Sequence, residues 1–344
     1  MRLSVQVPMR IDLAGGTLDV YPLYLFEDGG LTLNAAVNVY GYVTVEERAD
    51  HQLHLISEDS GNEERYASLA EIGTEGEFAL VKRALRYYRP HRGLTITLRS
   101  EAPRGSGLGA SSALLMALSS ALNVLEGLGF DRTRIIDLGA NIEAQAIGIP
   151  TGKQDYFPPL YGGVCAIWFD VDGHFVERLD EGRDLIERLN ERLILTYTNV
   201  SRFSGVTNWA MLKRYIEREG DTVAHMHRIK QVAYDCLASL RSGNLAAFAQ
   251  LLAAEWENRK SLAEGVTTPE VEAQIAAALA AGAQACKICG AGGGGCMITY
   301  AEPAAVPAVR EALVAAGATL MPLGAGAQPF RIVAEGIRMS QSAD

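Results

Sequence analysis

The sequence predicts an α+β protein of two lobes, and three observations carry that prediction. The chain has 344 residues, more than one compact core usually holds, so two lobes with a cleft between them are the default arrangement. Segments of strand character fill most of the first hundred residues, whereas amphipathic helices follow one another from about 206 to 281. Hydrophobic residues make up 48% and charged residues 21%, with glycine at 35 positions, a profile of mixed globular folds and not of disorder.

The elements follow in order. Residues 2–8 and 37–47 alternate or run apolar and β-branched, as does Leu94-Thr-Ile-Thr-Leu98, and read as strands. A helix over 79–88 interrupts them. Helical spacing resumes over Ser111 to Leu125 and Arg132 to Ile147. Leu193-Ile-Leu-Thr-Tyr-Thr198 is again a strand, and helices are expected over 206–217, 221–241, 244–263 and 269–281. Strands return at 284–289, 295–300, 318–322 and 330–335 around a helix at 304–316. The change of character puts the division near residue 195, giving an expected first lobe of 1–195 and a second of 196–344. No internal repeat marks a solenoid or propeller.

A formal net charge of −10 argues against nucleic acid or an anionic membrane as the main partner, since both need a basic face. The chain has no run of about 20 apolar residues. Its start, Met1 to Pro8, lacks the features of a signal peptide, so a cytoplasmic protein is expected. Five cysteines do not make a disulfide framework. Cys286 and Cys289 form a C-x-x-C, but only Cys296 lies nearby and no His follows at ligand spacing, so buried thiols are expected. The six histidines form no chemical constellation.

The stretch Glu101-Ala-Pro-Arg-Gly-Ser-Gly-Leu-Gly-Ala-Ser-Ser-Ala113 lies between an expected strand and an expected helix. Gly105, Gly107 and Gly109 let the backbone approach an anion, and the free N–H groups and dipole of the next helix favour negative charge. Ser111 and Ser112 add hydroxyls for phosphate or Mg²⁺. Besides a plain flexible turn, two other motifs compete. Nothing in the chain fits the Walker A pattern. Gly105, Gly107 and Ala110 formally satisfy G-x-G-x-x-A, but the acidic residue expected about 20 positions on, after a second strand, is replaced by helix end and turn. A glycine-serine anion loop of another type remains.

That loop is similar to the P-x-x-x-G-L-G-S-S-A nucleotide loop of the GHMP kinases, with Ala110 where many members have Ser. The resemblance makes Gly105, Ser106, Gly107, Leu108, Gly109, Ala110, Ser111 and Ser112 the expected ATP-binding residues. It gives the Mg²⁺-binding hydroxyl to Ser111, or to Ser112 if the match shifts by one. Two more blocks accompany it. Pro8-Met-Arg-Ile-Asp-Leu-Ala-Gly-Gly-Thr-Leu-Asp19 resembles the first family motif, implying that Arg10 stabilises charge on the transferring phosphoryl group and that Gly16, Thr17 and Asp19 meet the acceptor. Lys287-Ile-Cys-Gly-Ala-Gly-Gly-Gly-Gly-Cys-Met-Ile-Thr-Tyr300 resembles the third, implying that Gly290, Gly292, Gly293, Gly294 and Gly295 form the site by packing against the nucleotide loop.

Between these blocks, Glu143 falls on an expected helix and Asp155 in the loop beyond Pro150 and Gly152. They match the family's carboxylate for Mg²⁺ and its proton-abstracting Asp. Lys153 and Gln154 neighbour that Asp and are expected at the substrate; a solvated Lys153 is the competing reading. The motifs Gly152-Lys-Gln-Asp155, Thr198-Asn-Val-Ser-Arg-Phe-Ser204 and Glu255-Trp-Glu-Asn-Arg-Lys260 look most like heptose and related sugar kinases. Thr17-Leu18 and Tyr156-Phe-Pro-Pro159 depart from them, both beside the expected acceptor pocket. The resemblance implies a ribosomal protein S5 domain 2-like first lobe and a ferredoxin-like second lobe, with ATP and Mg²⁺ as cofactors. The implied acceptor is a sugar or sugar phosphate phosphorylated at a hydroxyl, with the anomeric one expected; a homodimer is compatible with it. A mevalonate-like alcohol as acceptor, or a catalytically silent sugar and ATP sensor, are the alternatives.

Overall fold

The computed structural model describes the chain except residues 183, 201–203, 324–327 and 343–344 and the side chains of 204–206. The first lobe is built on two long strands, β1 (Arg2–Ala14) and β2 (Gly30–Glu47), linked through the short helix α1 (Leu23–Phe26). Five more strands follow: β3 (Leu53–Ser57), β4 (Asn62–Tyr66), β5 (Leu94–Ser100), β6 (Val164–Asp170) and β7 (Gly173–Arg178). The sheet forks at β2. Gly41–Glu47 pair antiparallel with β5, Gly30–Ala35 pair antiparallel with β6, and β1 runs along both halves. Helices α2 (Ala79–Tyr88), α3 (Ala110–Leu125), α4 (Arg132–Ile147) and α5 (Phe157–Tyr161) complete the lobe. The first three pack on one another, and α3 lies directly on β1 and β2. Leu115, Met116, Leu118 and Leu122 bury that face of α3, which is why a helix rich in Ala and Ser sits centrally. Asp131 caps α4 by accepting from Arg134 N at 2.8 Å.

A second group of elements, called the second lobe, follows α6 (Leu185–Asn190). It comprises β8 (Leu193–Tyr197), α7 (Ser204–Ile216), α8 (Thr222–Ser242), α9 (Leu245–Arg259), α10 (Pro269–Ala280), β9 (Ala283–Ile288), β10 (Cys296–Ala301), α11 (Val306–Ala315) and β11 (Thr319–Leu320). Its sheet is antiparallel with order β11-β8-β10-β9, the ferredoxin-like pattern. Buried side chains of both lobes join in one core, including Met9 and Ile11 of β1, Leu237 of α8, Phe248 of α9 and Tyr300 of β10. Among the described residues, no helix is long and apolar enough to cross a membrane.

Three features differ from the pattern read in the sequence. Residues 330–335 are not a strand. Ile332 makes one isolated bridge to Val37, with Asn38 N donating to Arg331 O and Val333 N to Ala36 O; the segment fills the crotch of the fork, where no regular ladder can continue. The strand of that region is β12 (Arg338–Ser342), which returns to the first sheet and pairs with β1. The β6–β7 hairpin is also unmarked in the sequence, because Val164–Phe169 is a continuous apolar run that periodicity cannot assign. Residue 195 lies inside β8, whose partners all belong to the second sheet. We propose that the division falls just before β8, with β12 crossing back. Part of the Thr198–Ser204 motif, Ser201 to Phe203, lies outside the described residues.

Candidate active site

A cavity of about 1020 Å³ lies between the glycine loop, the end of β1 and the loop before α5. One arm is apolar, lined by Phe78, Val81, Leu98 and Leu118; the other is polar, lined by Thr17, Asp19, Gln154 and Asn208. The loop 105–109 runs along it and leads into α3. Gly109 ends the loop in the left-handed region with φ 71°, so that Ala110, Ser111 and Ser112 open the helix facing the cavity, where amide groups have no intrahelical acceptor. This is an anion cradle made of backbone.

The second glycine loop, between β9 and β10, clasps the first from behind. Cys296 N donates to Ser106 O at 2.6 Å and joins the two loops, while Gly293 N to Val266 O and Gly295 N to Val200 O, both at 2.6 Å, tie the second loop to the rest of its lobe. A Cβ on Gly107 would lie 2.5 Å from Cys289 O, and one on Gly295 would lie 2.7 Å from Ser106 O. Close backbone approach therefore explains the glycines on both sides. Gly290 reaches the cavity wall, whereas Gly292 to Gly295 do not. The five cysteines are buried and free.

Where the cradle meets the polar arm, β1 delivers Arg10, which is only 3% exposed. Its Nε donates to Asp155 Oδ1 at 2.8 Å, a second guanidinium nitrogen reaches the same oxygen at 2.5 Å, and the third bonds Gly107 O. Burial alone would lower the Arg10 pKa; Asp155 and Asp12 outweigh it and hold it above the ordinary value. Asp155 lies over Gly109, where an added Cβ would come 3.2 Å from its Cβ and Cγ. Glu143 of α4 is 8% exposed. Its Oε2 accepts from the Ser112 hydroxyl at 2.8 Å and from Tyr156 Oη at 2.5 Å. Burial pushes the Glu143 carboxyl up from its ordinary value, against these two donors. Ser111 lines the cavity but is exposed, so it is Ser112 that the fold pairs with the carboxylate.

In the polar arm Asp19 is 1% exposed. Its Oδ2 accepts from Gln154 N at 2.9 Å, and Gly152 admits it, since a Cβ there would sit 2.2 Å away. Oδ1 has no partner although buried. Burial raises the Asp19 pKa to about 6. Thr17 and Gln154 stand beside it on the cavity wall; Leu108 and Gly16 lie behind it. Lys153 does not line the cavity: its ammonium donates to Asp137 at 2.9 Å.

Reading the sequence misses the layer beneath this arm. Arg259 and Glu255 from α9, Lys287 from β9 and Asp12 from β1 are all fully buried. Arg259 pairs with Glu255 at 2.6 Å and Lys287 with Asp12 at 2.8 Å. Two opposite pairs this deep must compensate one another, since a lone buried charge is very costly. The i,i+4 spacing of Glu255 and Arg259 was visible, but not that both face inward under residues 16 and 17.

Comparison with known proteins agrees with this geometry. The model of the GHMP kinases N terminal domain matches residues 79–163, and that of the GHMP kinases C terminal matches 236–319. The chain is 28% identical to the D-glycero-alpha-D-manno-heptose 7-phosphate kinase of Campylobacter jejuni, over 88% of this chain and 90% of the relative. It is also 28% identical to the mevalonate kinase of Thermococcus onnurineus, over 93% and 95%. The crystal structure of a D-glycero-D-manno-heptose 1-phosphate kinase from Bacteroides thetaiotaomicron superposes with a TM-score of 0.79 at 28% identity, covering 99% of this chain and all of that one. With the glycine cradle, the clasping loop and both domains in place, the chain belongs to the GHMP kinases.

Proposed function

We propose that this ATP-dependent sugar kinase transfers the γ-phosphoryl group of ATP to the anomeric hydroxyl of a heptose-class sugar or sugar phosphate. The observation that carries the proposal is the position of Asp155. It stands where an anion cradle ends and a polar arm begins, against the buried Arg10 and 145 residues away from it in sequence. The triphosphate follows residues 105–112, with the adenine end towards Phe78 and Leu98. The acceptor lies over Thr17, Asp19 and Gln154, and the unpartnered Asp19 Oδ1 accepts from one of its hydroxyls. Asp155 takes the proton of the attacking hydroxyl, and Arg10 offsets the charge that builds on the phosphoryl oxygens. Phosphoryl transfer asks mainly for positioning and electrostatics of this kind.

The donor set suits Mg²⁺. Ser112 and Glu143 offer hard oxygens at the start of α3, and one or two protein ligands beside phosphate oxygens is the usual arrangement for this ion. Among the described residues, no group of three or more His, Cys, Asp or Glu could hold a metal alone, so the ion would arrive with the nucleotide. Bound there, Mg²⁺ supplies charge neutralisation between the phosphate groups.

The test is ADP release with ATP and Mg²⁺ across free sugars, sugar phosphates and mevalonate. Release dependent on a heptose or heptose phosphate supports the proposal. Release with mevalonate alone would move the acceptor to the class of the equally similar relative, and ATP binding without turnover on any acceptor would make the chain a sensor.

A further inference from the structure

Thr17 is an anomaly in the acceptor arm. It has φ 76°, a conformation that β-branched residues almost never adopt. Such a backbone persists only where its surroundings over-determine it. The constraint comes from the other lobe. Arg259, at the last turn of α9, donates to Gly16 O at 2.7 Å and to Thr17 Oγ1 at 3.2 Å. The guanidinium is itself fixed by two bonds to Glu255 Oε1, at 2.9 and 2.6 Å. The backbone lies directly on this cluster, for a Cβ on Gly16 would meet Asp12 Oδ2 at 2.6 Å and Arg259 at 3.0 Å.

The hydrogen bond to Thr17 has a chemical consequence. Its oxygen accepts from a cation that can only donate, so its own proton must point elsewhere. That proton now meets only the Met211 thioether, at 3.6 Å, a weak acceptor that any ligand oxygen would displace. Thr17 lines the cavity next to Asp19, whose Oδ1 is a free acceptor. The wall thus offers one donor and one acceptor side by side.

We infer that Arg259 is a positioning residue for the acceptor: it holds Gly16 and Thr17 in place and commits the Thr17 hydroxyl to donate to an acceptor oxygen while Asp19 accepts from a neighbouring hydroxyl. Two adjacent oxygens of a sugar, one accepting and one donating, match this pair. Thr17 is then a specificity-determining residue, and α9 of the second lobe sets the shape of a pocket in the first. The inference rests on the kinase reading above.

Steady-state kinetics of Arg259→Lys, Thr17→Gly and the double variant test it. Lysine keeps the charge that Glu255 needs but loses the planar fork. Arg259→Lys is expected to raise the acceptor KM about tenfold while the ATP KM stays within about twofold, as loss of one hydrogen bond to a charged group implies. Thr17→Gly removes the hydroxyl and the strain but leaves the bond from Arg259 to Gly16 O, so adding Arg259→Lys to it should raise the acceptor KM by clearly less than the roughly tenfold expected in the wild-type background. Additive effects, or equal rises in both KM values, would show Arg259 to be merely structural and overturn the inference. If Arg259→Lys does not fold, Thr17→Ser decides: it should keep the acceptor KM within about threefold where Thr17→Gly raises it about tenfold, and equal values for the two overturn the inference. A wild-type enzyme without sugar-dependent turnover would instead overturn the kinase reading, and this inference with it.

Discussion

The two arms of the cleft are built by opposite means. The proposed nucleotide side is backbone: glycines at 105, 107 and 109 meet a second loop with glycines at 290 and 292–295, and the main-chain bond from Cys296 N to Ser106 O ties the two loops together. The proposed acceptor side is side chain: Thr17, Asp19 and Gln154 stand above four buried charges drawn from β1, α9 and β9. The difference follows from the ligands. A triphosphate presents the same oxygens in every family member, and closely approaching amides serve it whatever the side chains. An acceptor must be told from similar alcohols, and that takes individually placed donors and acceptors whose loss leaves buried groups unpaired. Change on the first side is blocked by sterics; change on the second can alter specificity.

The largest effect is expected where the two arms meet, on turnover and not on nucleotide binding. Asp155→Asn is expected to lower kcat by about 10² to 10⁴ with ATP binding kept, measured by turnover and nucleotide titration. On the backbone side, Gly107→Ala forces a Cβ against Cys289 O at φ 72°; strain of about 1–3 kcal/mol should raise the ATP KM roughly ten- to a hundredfold, with less effect on the acceptor KM. Ser112→Ala should lower kcat/KM for ATP about tenfold and raise the Mg²⁺ needed for half-maximal rate, and Ser111→Ala should do less, because only Ser112 is bonded to Glu143. The smallest effect is in pH. Burial raises the Asp19 pKa to about 6; if Asp19 binds the acceptor as proposed, it accepts best as a carboxylate, so the acceptor KM should be flat above that value and rise as pH falls through it. The rise is about twofold at the pKa itself, and Asp19→Asn should abolish the limb.

The same contrast decides what could be read from the sequence. The two glycine loops, Arg10, Glu143 and Asp155 were visible because each sits in a local pattern of glycine, serine and acid, and the structure brings them around one cavity. The choice between Ser111 and Ser112 needed the pitch of α3, since only the fold shows which hydroxyl turns to α4. Lys153 looked like a ligand by adjacency, yet its side chain leaves towards Asp137. Arg259 and Thr17 are 242 positions apart, and no local pattern marks such a pair. The strand expected at 330–335 failed for a related reason: its apolar, β-branched residues are real, but the segment makes only one isolated bridge to the forked β2.

All of these expectations rest on the proposal that Asp155 directs an acceptor's anomeric hydroxyl at the γ-phosphate. The most direct measurement is the NMR spectrum of the phosphorylated product from the acceptor with the highest kcat/KM. The expected result is a new phosphorus signal coupled to the anomeric proton, formed together with ADP. Coupling of the newly added phosphorus to any other carbon-bound proton, or a product that is not a sugar, would contradict it.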